Sequence, residues 1–202
     1  MSVADVAGRI RAGVLSPREA VEAYLERIEQ VDGALNAYIR VRGEEALAES
    51  ESVPDGPLRG VPVAVKDVID VAGVPTTAAS KILADNVATR DAECVVRLRR
   101  AGAVVLGKLN THEFAFGATT QTIHAKTKNP WDLSRSPAGS SGGSGAALAA
   151  GLAAFSIGSD TAGSAPVVAE RLRRSASRPK AASNVLTCSS TSCAPSAQVP
   201  AW

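Results

Sequence analysis

Two runs of serine and glycine hold the residues best suited to chemistry in this chain. They read Ser136-Pro137-Ala138-Gly139-Ser140-Ser141-Gly142-Gly143-Ser144 and Gly158-Ser159-Asp160-Thr161-Ala162-Gly163-Ser164. Glycine lets the backbone approach a ligand closely and exposes N–H groups. Serine supplies nucleophiles and proton relays, but its hydroxyl is a weak nucleophile until a neighbouring base takes the proton. Lys66 is the best candidate for that base. It follows the apolar run Val61-Pro62-Val63-Ala64-Val65, which reads as a strand. Burial there lowers the lysine pKa and leaves an amine able to accept a proton. The plainer alternatives are a solvated lysine at a strand end and, for the first run, a flexible Gly/Ser linker. Against the linker, the run feeds straight into an apolar, small-residue stretch.

Other chemistries fit less well. Gly139-Ser140-Ser141-Gly142-Gly143 contains a GxSxG match centred on Ser141, the pattern of a nucleophile elbow. That architecture needs an acid and then a histidine after the serine, and no histidine follows Ser141. A phosphate-binding loop fails because no Gly-Lys-Ser/Thr ends the glycine run. His112 reads as a hydrogen-bonded structural histidine, and His124 is weaker still as a base. Cys94 lies on an apolar helix face and reads as packing. Cys94, Cys188 and Cys193 form no CxxC pair and lack metal-ligand spacing with the histidines, so no metal and no cofactor are expected. Asp160 suits a cap or a brace for the loop that follows it.

These residues need a scaffold, and the sequence suggests one. Ser16-Pro17-Arg18-Glu19 is a helix start, with serine as cap and glutamate three residues later. The amphipathic pattern runs to about Gln30, with Ala20, Val21, Tyr24, Leu25 and Ile28 on one face. A strand over 61–65, a helix over 91–101 and a strand over 103–108 follow. A small-residue helix over 144–152 leads into a further strand start at 153–157. This rhythm predicts an α/β fold. A net charge of +2 without a basic stripe argues against direct nucleic-acid or membrane partners. With no basic, apolar leader and no apolar run long enough to span a bilayer, a reduced, cytoplasmic protein is expected.

Composition breaks after Ser164. None of the 17 glycines lies beyond it, and residues 165–202 are rich in serine and alanine, with Glu170 the one acid. That segment reads as a disordered or frameshifted tail.

Four pieces in order resemble the amidase signature family: Leu58-Arg59-Gly60-Val61-Pro62-Val63-Ala64-Val65-Lys66-Asp67; Gly107-Lys108-Leu109-Asn110-Thr111-His112-Glu113-Phe114-Ala115; Asn129-Pro130-Trp131-Asp132 through the first serine run; and the second run. The similarity extends from about Val3 to Ser164. It implies a partial fold, with a mixed β-sheet core surrounded by helices, in which residues 1–164 are the N-terminal part of the family domain. It also implies a Ser–Ser–Lys triad: Lys66 as base, Ser140 as bridging serine at a cis peptide, and Ser164 as nucleophile. Backbone N–H groups of Thr161, Ala162, Gly163 and Ser164 would form the oxyanion hole. The implied reaction is cleavage of a small-molecule amide through an acyl-enzyme. The alternatives are a non-catalytic fragment and a component like the A subunit of a tRNA-dependent amidotransferase, which would need partner subunits. Ala138 and Ala162 stand where the family often has glycine. Beyond Ser164 the family continues with an aliphatic–Arg–x–Pro stretch, whereas this chain reads Ala165-Pro166-Val167-Val168. The resemblance therefore implies a truncated domain, weakly active or inactive alone.

Overall fold

Two helices open the chain, each behind a serine cap. The computed structural model describes residues 2–116 and 123–160, together with the backbone of Val185–Cys188. Helix α1 spans Val3–Arg11 and α2 spans Pro17–Leu35. At α2, the Glu19 N–H donates to Ser16 Oγ at 3.1 Å and the Ser16 N–H donates to Glu19 Oε2 at 2.8 Å. The Ser16 N–H, with the Ser16 hydroxyl that donates to the same oxygen at 2.7 Å, holds the Glu19 pKa below its usual value. The helix runs past the Gln30 that periodicity suggests, because nothing breaks it before Asn36. That residue takes a left-handed φ of 54° and ends it.

Gly33 lies inside α2, and a Cβ built there meets nothing within 4 Å. Alanine is favoured over glycine by about 1 kcal/mol in a helix interior. Gly33→Ala is therefore expected to raise the thermal midpoint by a few degrees. An unchanged or lower midpoint would contradict this open packing around Gly33.

The remaining elements build the sheet. Strand β1 (Tyr38–Val41) leads into α3 (Gly43–Ser50), and β2 spans Pro62–Lys66. Helix α4 (Glu93–Arg100) crosses to β3 (Val104–Leu109). Helix α5 (Gly142–Ala150) precedes β4 (Phe155–Ser159), and β5 is Val185–Cys188. The strand order is β1-β3-β2-β4-β5. β1 runs antiparallel to β3, and the other neighbours are parallel. The result is the expected mixed sheet surrounded by helices. Strand β5 falls within 165–202, and its backbone pairs with Ser156–Ser159 of β4.

Every residue of β2 and β3 is buried. Parallel strands covered on both faces read as continuous apolar runs rather than alternating ones. Val63, Val65, Val104, Val105, Leu106 and Leu109 follow that rule. Lys66 and Lys108 break it, each 0% exposed. A buried cation is costly unless paired or neutralised, so these two lysines mark where the core does more than pack. A bulge shifts the β2–β3 register between Val63 and Ala64, after which Val65 pairs with Lys108 and Lys66 with Leu109.

Candidate active site

Lys66 ends β2, and its amine points into a nest of hydroxyls. Nζ donates to Ser140 Oγ at 2.8 Å, Ser141 Oγ at 2.9 Å and Ser159 Oγ at 2.7 Å. Parallel pairing of β2 with β4 carries Ser159 there, because Val65 lies opposite Ile157. Ser140 and Ser141 come from the turn before α5. The peptide between Gly139 and Ser140 is cis, as the resemblance implies. Burial pulls the Lys66 pKa from 10.5 down to about 8, and the negative charge of Asp160 pulls partly back. At pH 7 about a tenth of such an amine is neutral, roughly 300-fold more than for an ordinary lysine.

The serine turn is held from two sides. The carbonyl oxygen of Ser140 accepts from the His112 N–H at 3.2 Å and from Thr111 Oγ1 at 3.0 Å. The His112 ring lies against Gly139, where a Cβ would come within 2.2 Å of Cε1. On the other side, the Ser141 hydroxyl donates to the Ser159 carbonyl at 3.1 Å. A Cβ at Gly158 would sit 2.9 Å from Ser141 Oγ, so glycine there leaves room for that hydroxyl. His112 thus acts on Ser140 through its main chain, in keeping with a structural histidine.

The structure therefore brings Lys66 and Ser140 into hydrogen-bond contact, with Asp160 close enough to act on the amine. Thr161, Ala162, Gly163 and Ser164 lie outside the described residues. Two partners of Lys66 go beyond the sequence reading. The elbow motif that singles out Ser141 fails for want of a histidine, and Ser159 stands out only as a member of its cluster. Strand pairing could have found Ser159, one step beyond the Lys66 level on β4. Ser141 carries no such signal, because adjacent residues converge on one amine only through the local turn.

A cavity of about 350 Å³ is lined among others by Lys126, Lys128, Arg135, Ala138 and Gly143. Lys66 and Ser140 are not in its wall. Among the described residues, no cluster of three or more His, Cys, Asp or Glu could hold a metal ion, and no helix is long and apolar enough to cross a membrane.

The mixed sheet and the cis-peptide Ser140 beside Lys66 are features the resemblance implies, and comparison with known proteins shows the family. Residues 19–167 match the Amidase family, and the chain belongs to that family. It is 51% identical over 172 residues to the A subunit of the glutamyl-tRNA(Gln) amidotransferase of Salinispora tropica, covering 81% of this chain and 35% of that one. Among solved structures, 6-aminohexanoate cyclic dimer hydrolase is 39% identical with a TM-score of 0.73, covering 77% of this chain and 33% of its own. The peptide amidase of Stenotrophomonas maltophilia is 38% identical with a TM-score of 0.71, covering 77% and 35%. The chain thus spans about a third of the length of the relatives it matches.

Proposed function

We propose that this chain carries the catalytic core of an amide-bond hydrolase, with Lys66, Ser140 and Ser164 acting as a Ser–Ser–Lys triad. The observation that carries the reading is the buried Lys66 amine held 2.8 Å from Ser140 Oγ. Neutral Lys66 takes the Ser140 proton, and Ser140 takes the proton of Ser164. The Ser164 oxygen then attacks the amide carbonyl carbon. The N–H groups of Thr161, Ala162, Gly163 and Ser164 receive the developing oxyanion, each such donor contributing roughly 3–4 kcal/mol. The relay returns its proton to the leaving amine, and water releases the acyl group. Ser141 and Ser159 hold the amine in place and receive no proton in this scheme.

The substrate class is a small-molecule amide, and the setting is cytoplasmic. Neither cofactor nor metal takes part. Residues 1–164 are read as the N-terminal part of the amidase domain, and 165–202, whose Val185–Cys188 pairs with β4, as a segment that does not match the family and whose composition fits a frameshifted reading. Because the relatives are about three times the matched length, the 202 residues alone are expected to turn over amides weakly or not at all. Amide-group transfer with partner subunits is the second reading, favoured by the likeness to an amidotransferase component.

A fluorophosphonate that captures activated serines tests the site even where turnover is slow. Mass spectrometry is expected to find the label on Ser164, with labelling at least tenfold slower in Lys66→Ala and Ser140→Ala. Label on Ser141 instead, or undiminished labelling of Ser140→Ala, would overturn the assignment.

A further inference from the structure

Lys66 is not the only amine sealed inside the sheet. Lys108 on β3 is equally buried, and the register that pairs Val65 with Lys108 sends the two amines to opposite faces. Their surroundings differ. Lys66 meets neutral hydroxyls, whereas Lys108 Nζ lies 3.0 Å from Asp67 Oδ1 and donates to Thr76 Oγ1 at 2.7 Å and to the Pro75 carbonyl at 3.3 Å. Asp67 is 0% exposed, and its Oδ1 has the Lys108 ammonium as its ion-pair partner without a hydrogen bond. Its Oδ2 accepts from the Thr77 N–H at 3.0 Å and from the Thr77 hydroxyl. Its N–H donates to the Leu109 carbonyl at 3.0 Å, and its carbonyl accepts from the Ala78 N–H at 2.9 Å. A buried pair tied to its surroundings at Asp67 Oδ2, N–H and carbonyl and at Lys108 Nζ rigidifies what it touches.

Its contacts reach both ends of the Lys66–Ser140 hydrogen bond. The first connection is covalent, since Asp67 directly follows Lys66 and fixes the end of β2. The second runs through two turns. The Ala78 carbonyl accepts from the Phe114 N–H at 2.9 Å, and the turn that ends there supplies the Thr111 and His112 donors to the Ser140 carbonyl. Ala78 and Ala79 hold φ of 48° and 53°, a left-handed conformation alanine disfavours. Outside support is therefore needed. Thr77 gives it by donating its hydroxyl to Asp67 while accepting from the Ala79 N–H at 3.1 Å.

We propose that the Asp67–Lys108 ion pair is a positioning device for the Lys66–Ser140 hydrogen bond, bracing Lys66 through β2 and Ser140 through the 76–79 and 111–115 turns. Neither residue touches the reacting atoms. The proposal rests on the reading of Lys66 as the base, and it explains why two buried lysines one strand apart differ in use. Lys108 lies against the Asp67 carboxylate, whereas Lys66 lies among hydroxyls. Around β2, Asp160 directly follows β4, the His112 N–H donates to the Ser140 carbonyl, and Tyr24 and Asp32 are the half-buried or buried ionisable groups of α2 with shifted pKa values. Helix α5 has none. Arg40, Asp70 and His124 act on the Lys108–Asp67 side.

The test follows the Lys66 Nζ resonance by NMR across a pH titration of the 202-residue chain labelled with 15N-lysine. Lys66→Met assigns the signal. Thr77→Val removes one bond to Asp67 without stranding a charge. It is expected to raise the Lys66 midpoint by about one unit, as the loosened site rehydrates. Thr77→Ser keeps the hydroxyl and is expected to hold the parent midpoint. The pair Asp67→Asn with Lys108→Met is expected to raise it at least as far as Thr77→Val. A purely structural role would lower the melting temperature of Thr77→Val and leave its Lys66 midpoint unmoved, and that result overturns the proposal. Should the double variant fail to fold, Thr77→Val and Thr77→Ser decide alone. The readout does not depend on turnover, so a failure of the amidase reading, seen as undiminished labelling of Ser140→Ala, is distinguishable from a failure of this one.

Discussion

Replacing Lys66 by methionine is expected to leave a folded chain that is more stable at neutral pH and chemically silent. In the native state the Lys66 pKa is about 8, against 10.5 in the unfolded chain. Below pH 8 both states carry the proton, and the folded state bears the whole cost of burying the charge. Between pH 8 and 10.5 the native amine releases its proton first. The unfolded state then binds more protons, so stability rises with pH across that window. The full span corresponds to about 3 kcal/mol. Methionine fills a similar volume without a charge, and apolar replacement of buried charge is often neutral or stabilising. Loss of the amine leaves the Ser140, Ser141 and Ser159 hydroxyls one donor poorer, so the net gain at pH 7 falls short of that span. Lys108 is also lowered by burial, but it is present in both proteins and cancels in the difference. Urea melts at pH 7 and pH 10 provide the check: the gap between variant and parent should be large at pH 7 and narrow at pH 10. A pH-independent gap, or a variant destabilised by more than about 1 kcal/mol at pH 7, would remove Lys66 from the role of buried, poised base. With the amine gone, fluorophosphonate labelling should fall at least tenfold, so stability and reactivity move in opposite directions.

That trade-off was partly legible from residue order alone. An apolar run ending in lysine predicts a buried strand with a desolvated amine, and β2 is that strand. Ser16 and Glu19 announce α2 because a capping box is written within four residues. The α4–β3 unit is readable for the same local reason. What sequence order conceals depends on strand order. Ser159 reaches Lys66 only because β4 lies beside β2, and nothing local to Ser159 says so. Lys108 is visible inside its motif, yet its pairing with Asp67 depends on the parallel register and on the bulge that sets it. The antiparallel edge strand β1 escapes a sequence reading because four residues, only partly buried, carry little periodic signal. Local chemistry is therefore legible where one segment supplies it, and hidden where two strands must meet.

Gly143→Ala is the substitution on which the two readings of the first serine run differ most. In a flexible linker, alanine for glycine would be neutral. In a helix interior it would gain about 1 kcal/mol, as expected for Gly33. Gly143 sits in the first turn of α5, where its N–H donates to the Asn110 carbonyl at 3.1 Å. A Cβ there would lie 2.5 Å from the Asn110 carbonyl oxygen, 2.6 Å from its nitrogen and 2.7 Å from the Ala37 carbonyl oxygen. All three are backbone atoms, so no side chain can turn aside. Overpacking of this kind costs about 1–3 kcal/mol or more, which outweighs the gain in helix propensity. Relief requires the N-terminus of α5 to move off the 110 turn, carrying Ser140 and Ser141 away from Lys66. A misplacement of about 1 Å can slow catalysis a hundredfold, so labelling of the site is expected to fall by a similar factor. Gly142 supplies the control. A Cβ there meets only Pro137 Cγ at 3.4 Å, an ordinary contact. Gly142→Ala should melt near the parent, whereas Gly143→Ala should lose at least about 2 kcal/mol in urea. If Gly143→Ala proved as stable as Gly142→Ala, α5 would not be docked as described, and the geometry that joins Lys66 to the serine turn would lose its foundation.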